Sequence, residues 1–322
     1  MDEIFFITSK SVFGAMLRVF FIIFFAGLLV RKKIITTEQV SALSKITVFV
    51  LLPSLIFSNN ILNFHPKENP DWWIIPIIGI GMSLVGVSIA LILFLPDIKT
   101  KKNMLPVSSM QNAGYLVLPI VQILYPADFH VFALYTFLFI IGFNFILWSL
   151  GKVLVTSNDG NKISFKINDF INPPLIANLS TIIIVLISFQ SYIPDFVIDS
   201  SDLLGKAAVP IATFVLGATL GEISFRKWPP IIDILRVNFT KFAIIPIITI
   251  FILYHFEIYK THPFLSDFFI IQSAAAPATS IILQVKTYGG NAQKIGSMMI
   301  ISYLICLVAM PLWFAFWKSL VL

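Results

Sequence analysis

The residues best suited to chemistry lie in two short stretches of an otherwise apolar chain. The first, 110–119, reads Met-Gln-Asn-Ala-Gly-Tyr-Leu-Val-Leu-Pro and carries Gln111, Asn112, Gly114, Tyr115 and Pro119. The second, 272–280, reads Gln-Ser-Ala-Ala-Ala-Pro-Ala-Thr-Ser and carries Ser273, Pro277, Thr279 and Ser280. Amides, hydroxyls and a proline at the centre of an apolar run suit recognition rather than bond making. A proline lacks the N–H and its ring clashes with the carbonyl four residues back, so each run is expected to break or kink just before it. In hydrocarbon, the backbone groups freed by such a break persist only where they are buried in protein or line a cavity.

Two interrupted spans in corresponding positions of two halves are the sequence pointer to a transporter's binding site. Each resumed half-helix offers unpaired N–H groups and a positive dipole end, which favour an anion. Gln111, Asn112, Ser273, Thr279 and Ser280 add donors and acceptors, although serine and threonine also bond back to helix carbonyls. No Lys, Arg, Asp or Glu stands in either stretch. The ligand they suit is a small carboxylate held by dipoles and hydrogen bonds, with its apolar part against Tyr115 and Leu118. Asn144 is one more polar residue at membrane depth, placed either to reach the site or to bond a neighbouring helix.

Other chemistry is missing. His65, His130, His255 and His262 lie in loops or at span ends, and there is no His-Glu-x-x-His, Gly-x-Ser-x-Gly or phosphate loop. Intramembrane hydrolysis and ATP-driven transport therefore have no residues to run on, and neither a cofactor nor a metal is expected. The single cysteine, Cys306, excludes a disulfide framework within the chain.

The elements that must position these stretches are membrane spans. Mean hydropathy is +0.93. Apolar residues make up 58% of the chain and charged ones only 12%, about half the share of a soluble domain. The net charge of +6 is therefore loop lysine and arginine rather than a nucleic-acid footprint. The first ten residues carry Asp2, Glu3 and Lys10, with no basic leader pattern, so the first apolar run is expected to remain as a span. Ten runs approach the ~20 residues that cross a bilayer: 12–30, 40–62, 72–95, 103–125, 129–150, 171–190, 202–221, 231–254, 265–285 and 292–317. The polar connection 151–170 divides them five and five. Span 4 begins at the basic side, and Asn112 lies roughly 15 Å into a core ~30 Å thick; Pro277 lies at a similar depth from the other side.

Loop charge sets the orientation. The side holding the two termini has Lys10, Lys67, Lys260 and Lys318. The other has Arg31, Lys32, Lys33, Lys99, Lys101, Lys102, Lys152, Lys162, Lys166, Arg226, Lys227, Lys286 and Lys294. This imbalance, thirteen against four, puts both termini outside the cytoplasm. Five spans per half then invert the second half relative to the first. The fold class expected is an all-α integral membrane protein of ten transmembrane helices, built as two inverted five-helix repeats (1–150 and 171–322), with broken crossing helices 4 and 9. Arg18, Lys45 and Lys241 are intramembrane charges, functional candidates by default but within snorkelling reach of an interface. Asp233, Asp267 and Glu222 lie toward span ends, where solvated roles are expected. Trp72, Trp73, Trp228, Trp313 and Trp317 sit where interfacial anchors do.

At these residues the sequence resembles the auxin efflux carrier family, which includes plant auxin exporters and bacterial carriers of malonate and related acids. Asn112, Gly114 and Pro119 match the family's Asn-x-Gly…Leu-Pro pattern. Further matches are the segment from Pro53 to Phe57, Asn172-Pro173-Pro174, Pro210 to Gly217, Pro277 with the small and hydroxyl residues after it, and Tyr288-Gly289. Val117 stands where a second glycine is frequent, and Ser280 where asparagine or threonine is. The resemblance implies two crossed broken helices, a transport domain of spans 3–5 and 8–10, and a scaffold of spans 1, 2, 6 and 7. It further implies a homodimer joined through the scaffold, elevator-like movement and a small organic anion as substrate.

Overall fold

The computed structural model describes residues 2–156, 171–223, 228–288 and 291–322. Most of the polar connection (157–170), the Gly289-Gly290 pair, Arg226 and Lys227 lie outside the described residues. The described residues are mainly helical, with no β-strand among them. The long elements are α1 (Glu3–Arg31), α2 (Thr37–Asn63) and α3 (Pro70–Lys101). Two short helices follow, α4 (Met104–Ser109) and α5 (Val117–Leu124), then α6 (Phe129–Val155), α7 (Pro173–Leu186), α8 (Asp195–Gly221) and α9 (Ile231–His255). Next are α10 (Pro263–Ser273) and α11 (Ser280–Tyr288), and last α12 (Ala292–Val321). Among the described residues seven of these are long and apolar enough to cross a membrane: α1, α2, α3, α6, α8, α9 and α12.

Several helices outrun their apolar cores, α3 and α8 among them. α1 begins before residue 12, with Glu3 in its first turn where an acidic group meets the positive end of the dipole. α6 continues to Val155, past the expected end at 150. Helix starts follow local chemistry. Thr36 and Gln39 form a reciprocal capping box at the start of α2. Asn172 accepts from the Leu175 N–H, 3.0 Å, ahead of Pro173 and Pro174, whose missing N–H groups would be orphans anyway.

Packing in lipid relies on close backbone approach, and small residues provide it. Gly217 and Gly221 on α8 face Ile23 and Gly27 on α1; a Cβ at Gly217 would run into the Ile23 carbonyl oxygen. Gly142 on α6 stands against the Pro76 carbonyl of α3 in the same way. Outward faces are apolar, as with Phe21 and Phe24, because hydrocarbon is the solvent there.

Three long helices widen into single π turns, at Thr47–Leu51, Leu147–Gly151 and Thr240–Ile244. The third lies just ahead of Pro246, which cannot donate to the Phe242 carbonyl one turn back. Trp313 of α12 fills that vacancy, its Nε1–H donating to the Phe242 carbonyl at 2.6 Å. Trp313 thus bridges two helices, and Trp317 is fully buried, whereas Trp73 and Trp228 are exposed as interfacial anchors are.

Candidate functional site

The two stretches singled out in the sequence meet. α4 stops at Ser109 and α5 starts at Val117; α10 stops at Ser273 and α11 starts at Ser280. Between them the chains pass antiparallel, with Gln111 opposite Pro277. The Asn112 N–H donates to the Ala276 carbonyl, 2.7 Å, and the Ala278 N–H to the Met110 carbonyl, 3.0 Å. Backbone groups with no helical partner thus satisfy one another, as a dry interior demands. Pro119 occupies the first turn of α5, where an N–H would have no intrahelical acceptor.

Side chains close around this crossing. Asn112 Nδ2 donates to the Tyr303 hydroxyl at 2.6 Å, and that hydroxyl donates to the Pro277 carbonyl at 3.1 Å. Gln272 Nε2 donates to the Ala113 carbonyl at 3.1 Å. The Cys306 thiol donates to the Ala274 carbonyl at 3.4 Å, and Lys241 Nζ to the Met110 carbonyl at 3.2 Å. Gln111 is fully buried, and neither its Nε2 nor its Oε1 has a hydrogen-bond partner. An unsatisfied buried amide costs about 1–3 kcal/mol, so its retention at the centre of the crossing calls for a reason.

The other sequence candidates divide. Gly114, Tyr115, Thr279 and Ser280 are half-buried along the two linking strands of chain, with Thr279 and Ser280 leading into α11. Room remains at Gly114, where a Cβ would meet only Ile140 Cδ1 at 3.4 Å. Ser273 turns back on its own helix, donating to the Ile270 carbonyl at 2.8 Å. Asn144 is half-buried on α6 and makes no side-chain hydrogen bond to the crossing. Leu118 is buried with Leu55, Phe137 and Val209, so it packs α5 against α2, α6 and α8 instead of facing a ligand.

Charge placement corrects several expectations. Arg18 and Lys45 are exposed, but Lys241 is buried completely. It does not snorkel, because the Thr240–Ile244 turn aims it inward at the crossing. Asp233 and Asp267 are buried rather than solvated, each neutralised by lysine. Asp233 pairs with Lys101 at 2.8 Å and Lys294 at 3.8 Å. Asp97, beside it, pairs with Arg236 at 2.7 Å and Lys101 at 3.1 Å. Asp267 accepts from Lys318 at 2.6 Å, the Tyr125 hydroxyl at 2.7 Å and Trp317 Nε1 at 3.0 Å. Glu222 pairs with Lys286 at 3.4 Å.

Sequence reasoning missed Tyr303, and it placed Gln272 in the second stretch without giving it a role. The only signal was general: a phenol or amide inside an apolar span has to find a partner. A cavity of about 940 Å³ lies elsewhere, bordered by Trp72, Ile75, Leu134, Tyr135 and Phe269. Its lining is mainly apolar, its rim includes lipid-exposed Ile77 and Val85, and no residue of the crossing borders it.

Apolar helices around a buried polar crossing define a multi-pass membrane protein. A family model described as membrane transport protein matches residues 11–314, nearly the whole chain, and the chain belongs to that family, the auxin efflux carriers. No match to the chain was found among curated proteins.

Proposed function

We propose that this chain is a secondary carrier of small organic anions whose substrate binds at the crossing. The observation that carries this reading is Gln111, an amide wholly buried and unpartnered, beside an Asn112 whose second Nδ2 hydrogen remains available. A carboxylate accepts such donors well. The α5 and α11 N-termini bring positive dipole ends, although the N–H groups of Leu118, Ile281 and Ile282 there already have carbonyl partners. A thermal-shift screen of the purified protein against acetate, benzoate, malonate, succinate and indole-3-acetate tests it, because a ligand stabilises the state it binds. At least one carboxylate should raise the midpoint while its neutral amide does not. A flat response across the panel would count against the reading.

In this proposal the α4–α5 and α10–α11 pairs are crossing helices 4 and 9, and α7 completes a set of ten. Contact patterns support two inverted repeats. α1 packs on α12 as α7 does on α6, and α2 on α7 as α8 does on α1. Likewise α3 meets α4 and α6 as α9 meets α10 and α12, and α4 touches α12 as α10 touches α6. The transport domain comprises α3–α6 and α9–α12; α1, α2, α7 and α8 form the scaffold and the contact of a homodimer. The ion clusters around Asp97, Asp233 and Asp267 tie together elements of the transport domain alone, as suits a unit that moves as one body in an elevator cycle. Lys286–Glu222 joins that unit to the scaffold and has to open when it moves.

The carrier is placed in the cell membrane with both termini outside the cytoplasm. A reporter active only in the cytoplasm, fused after Leu322, should stay silent. Strong signal would overturn the ten-span count and the inverted repeat with it.

A further inference from the structure

The geometry points to Lys241 as the positive charge that gives the crossing its preference for anions. This rests on the proposed anion carrier and supplies the charge that neither crossing stretch contains. Three observations support it. Lys241 is fully buried, in a π turn, a wide turn found often at functional sites. Its Nζ donates to the Met110 carbonyl, the acceptor that also receives the Ala278 N–H across the crossing. And among the described residues Lys241 has no carboxylate within ion-pair distance, whereas the buried carboxylates Asp233 and Asp267 are matched by other lysines.

A carbonyl alone is poor compensation for an ammonium removed from water, and charges inside a membrane protein are expensive enough to be kept for function. The missing counter-charge is the substrate. With Lys241 behind the backbone of the crossing, an anion arriving at Gln111 and Asn112 feels its field through a medium of low dielectric, where charge interactions are strong. A neutral isostere with the same shape gains nothing from it. Lys241 is thus a specificity-determining residue that acts by charge, and it need not touch the substrate.

The test compares benzoate with benzamide, and malonate with malonamide, by thermal shift and by equilibrium binding to purified protein. Lys241→Gln keeps a donor for the Met110 carbonyl and removes the charge; Lys241→Arg keeps the charge. Wild type and Lys241→Arg should favour the carboxylate of a pair, and Lys241→Gln should lose at least tenfold of that preference while binding the amide unchanged. Should Lys241→Gln fail to fold, Lys241→Ala purified with methylammonium poses the same question: the preference returns with the added cation and fades on its removal. A neutral variant that keeps the full preference, or a Lys241→Ala preference indifferent to methylammonium, overturns the role of Lys241. A wild type that shows no preference for either carboxylate instead overturns the anion reading itself.

Discussion

Asn112→Ala should bind the carboxylate selected by the thermal-shift panel roughly ten- to a hundredfold more weakly, while remaining folded. The magnitude follows from losing a hydrogen bond to a charged group, about 1.5–3 kcal/mol. Among the described residues Asn112 is the only side chain that both belongs to the crossing and holds a hydrogen-bond partner from α12, through the 2.6 Å bond to Tyr303. Its loss leaves Tyr303 with the Pro277 carbonyl, and the backbone bond from the Asn112 N–H to Ala276 is unaffected by the side-chain change. Tyr303→Phe provides the comparison. It removes the hydroxyl that orients Asn112 but keeps the amide, so its affinity should fall less. Titration of each variant, with melting curves as a folding control, decides the matter. Unchanged affinity in well-folded Asn112→Ala would remove Asn112 from the site.

Hydropathy made the seven long helices legible, because in lipid a helix has to be apolar along its length; proline placement was a weaker guide, since α9 runs on through Pro246 and α12 through Pro311. The antiparallel passage of 111 past 277 was legible only as a coincidence of depth. What brings them together is the exchange of Asn112 and Ala278 N–H groups with carbonyls across the crossing, a contact between segments far apart in sequence. Lys241, Asp233 and Asp267 were misread for one shared reason. Position along a span says how deep a residue lies but not which way it faces, and the π turn at Thr240–Ile244 shifts the facing of Lys241 from what a regular helix would give. Tyr303 was invisible because a phenol in an apolar span carries no spacing signal. Ser273 was over-read: its hydroxyl bonds its own helix, as serines in apolar helices commonly do.

The remaining prediction concerns the driving force. An anion that moves without a co-transported ion feels the membrane potential, about 2.3 kcal/mol per charge per 100 mV. With the cytoplasm negative this drives a monoanion outward, by roughly fortyfold in concentration ratio at 100 mV. Proton coupling through a carboxylate calls for one free to gain and lose a proton near the substrate. Asp233 and Asp267 instead sit in lysine pairs, and neither contacts the crossing. Coupling to sodium calls for spare carbonyls at the crossing, yet the Met110 carbonyl is already occupied by Lys241 and by the Ala278 N–H. The expectation is electrogenic anion movement, running as export in the cell. In proteoliposomes with a potassium–valinomycin potential, flux of the selected carboxylate should speed up when the potential pulls the anion across, and it should persist with sodium and proton gradients collapsed. Flux indifferent to the potential, or lost when sodium is withdrawn, would replace this reading with an ion-coupled symporter that shares the same crossed-helix plan.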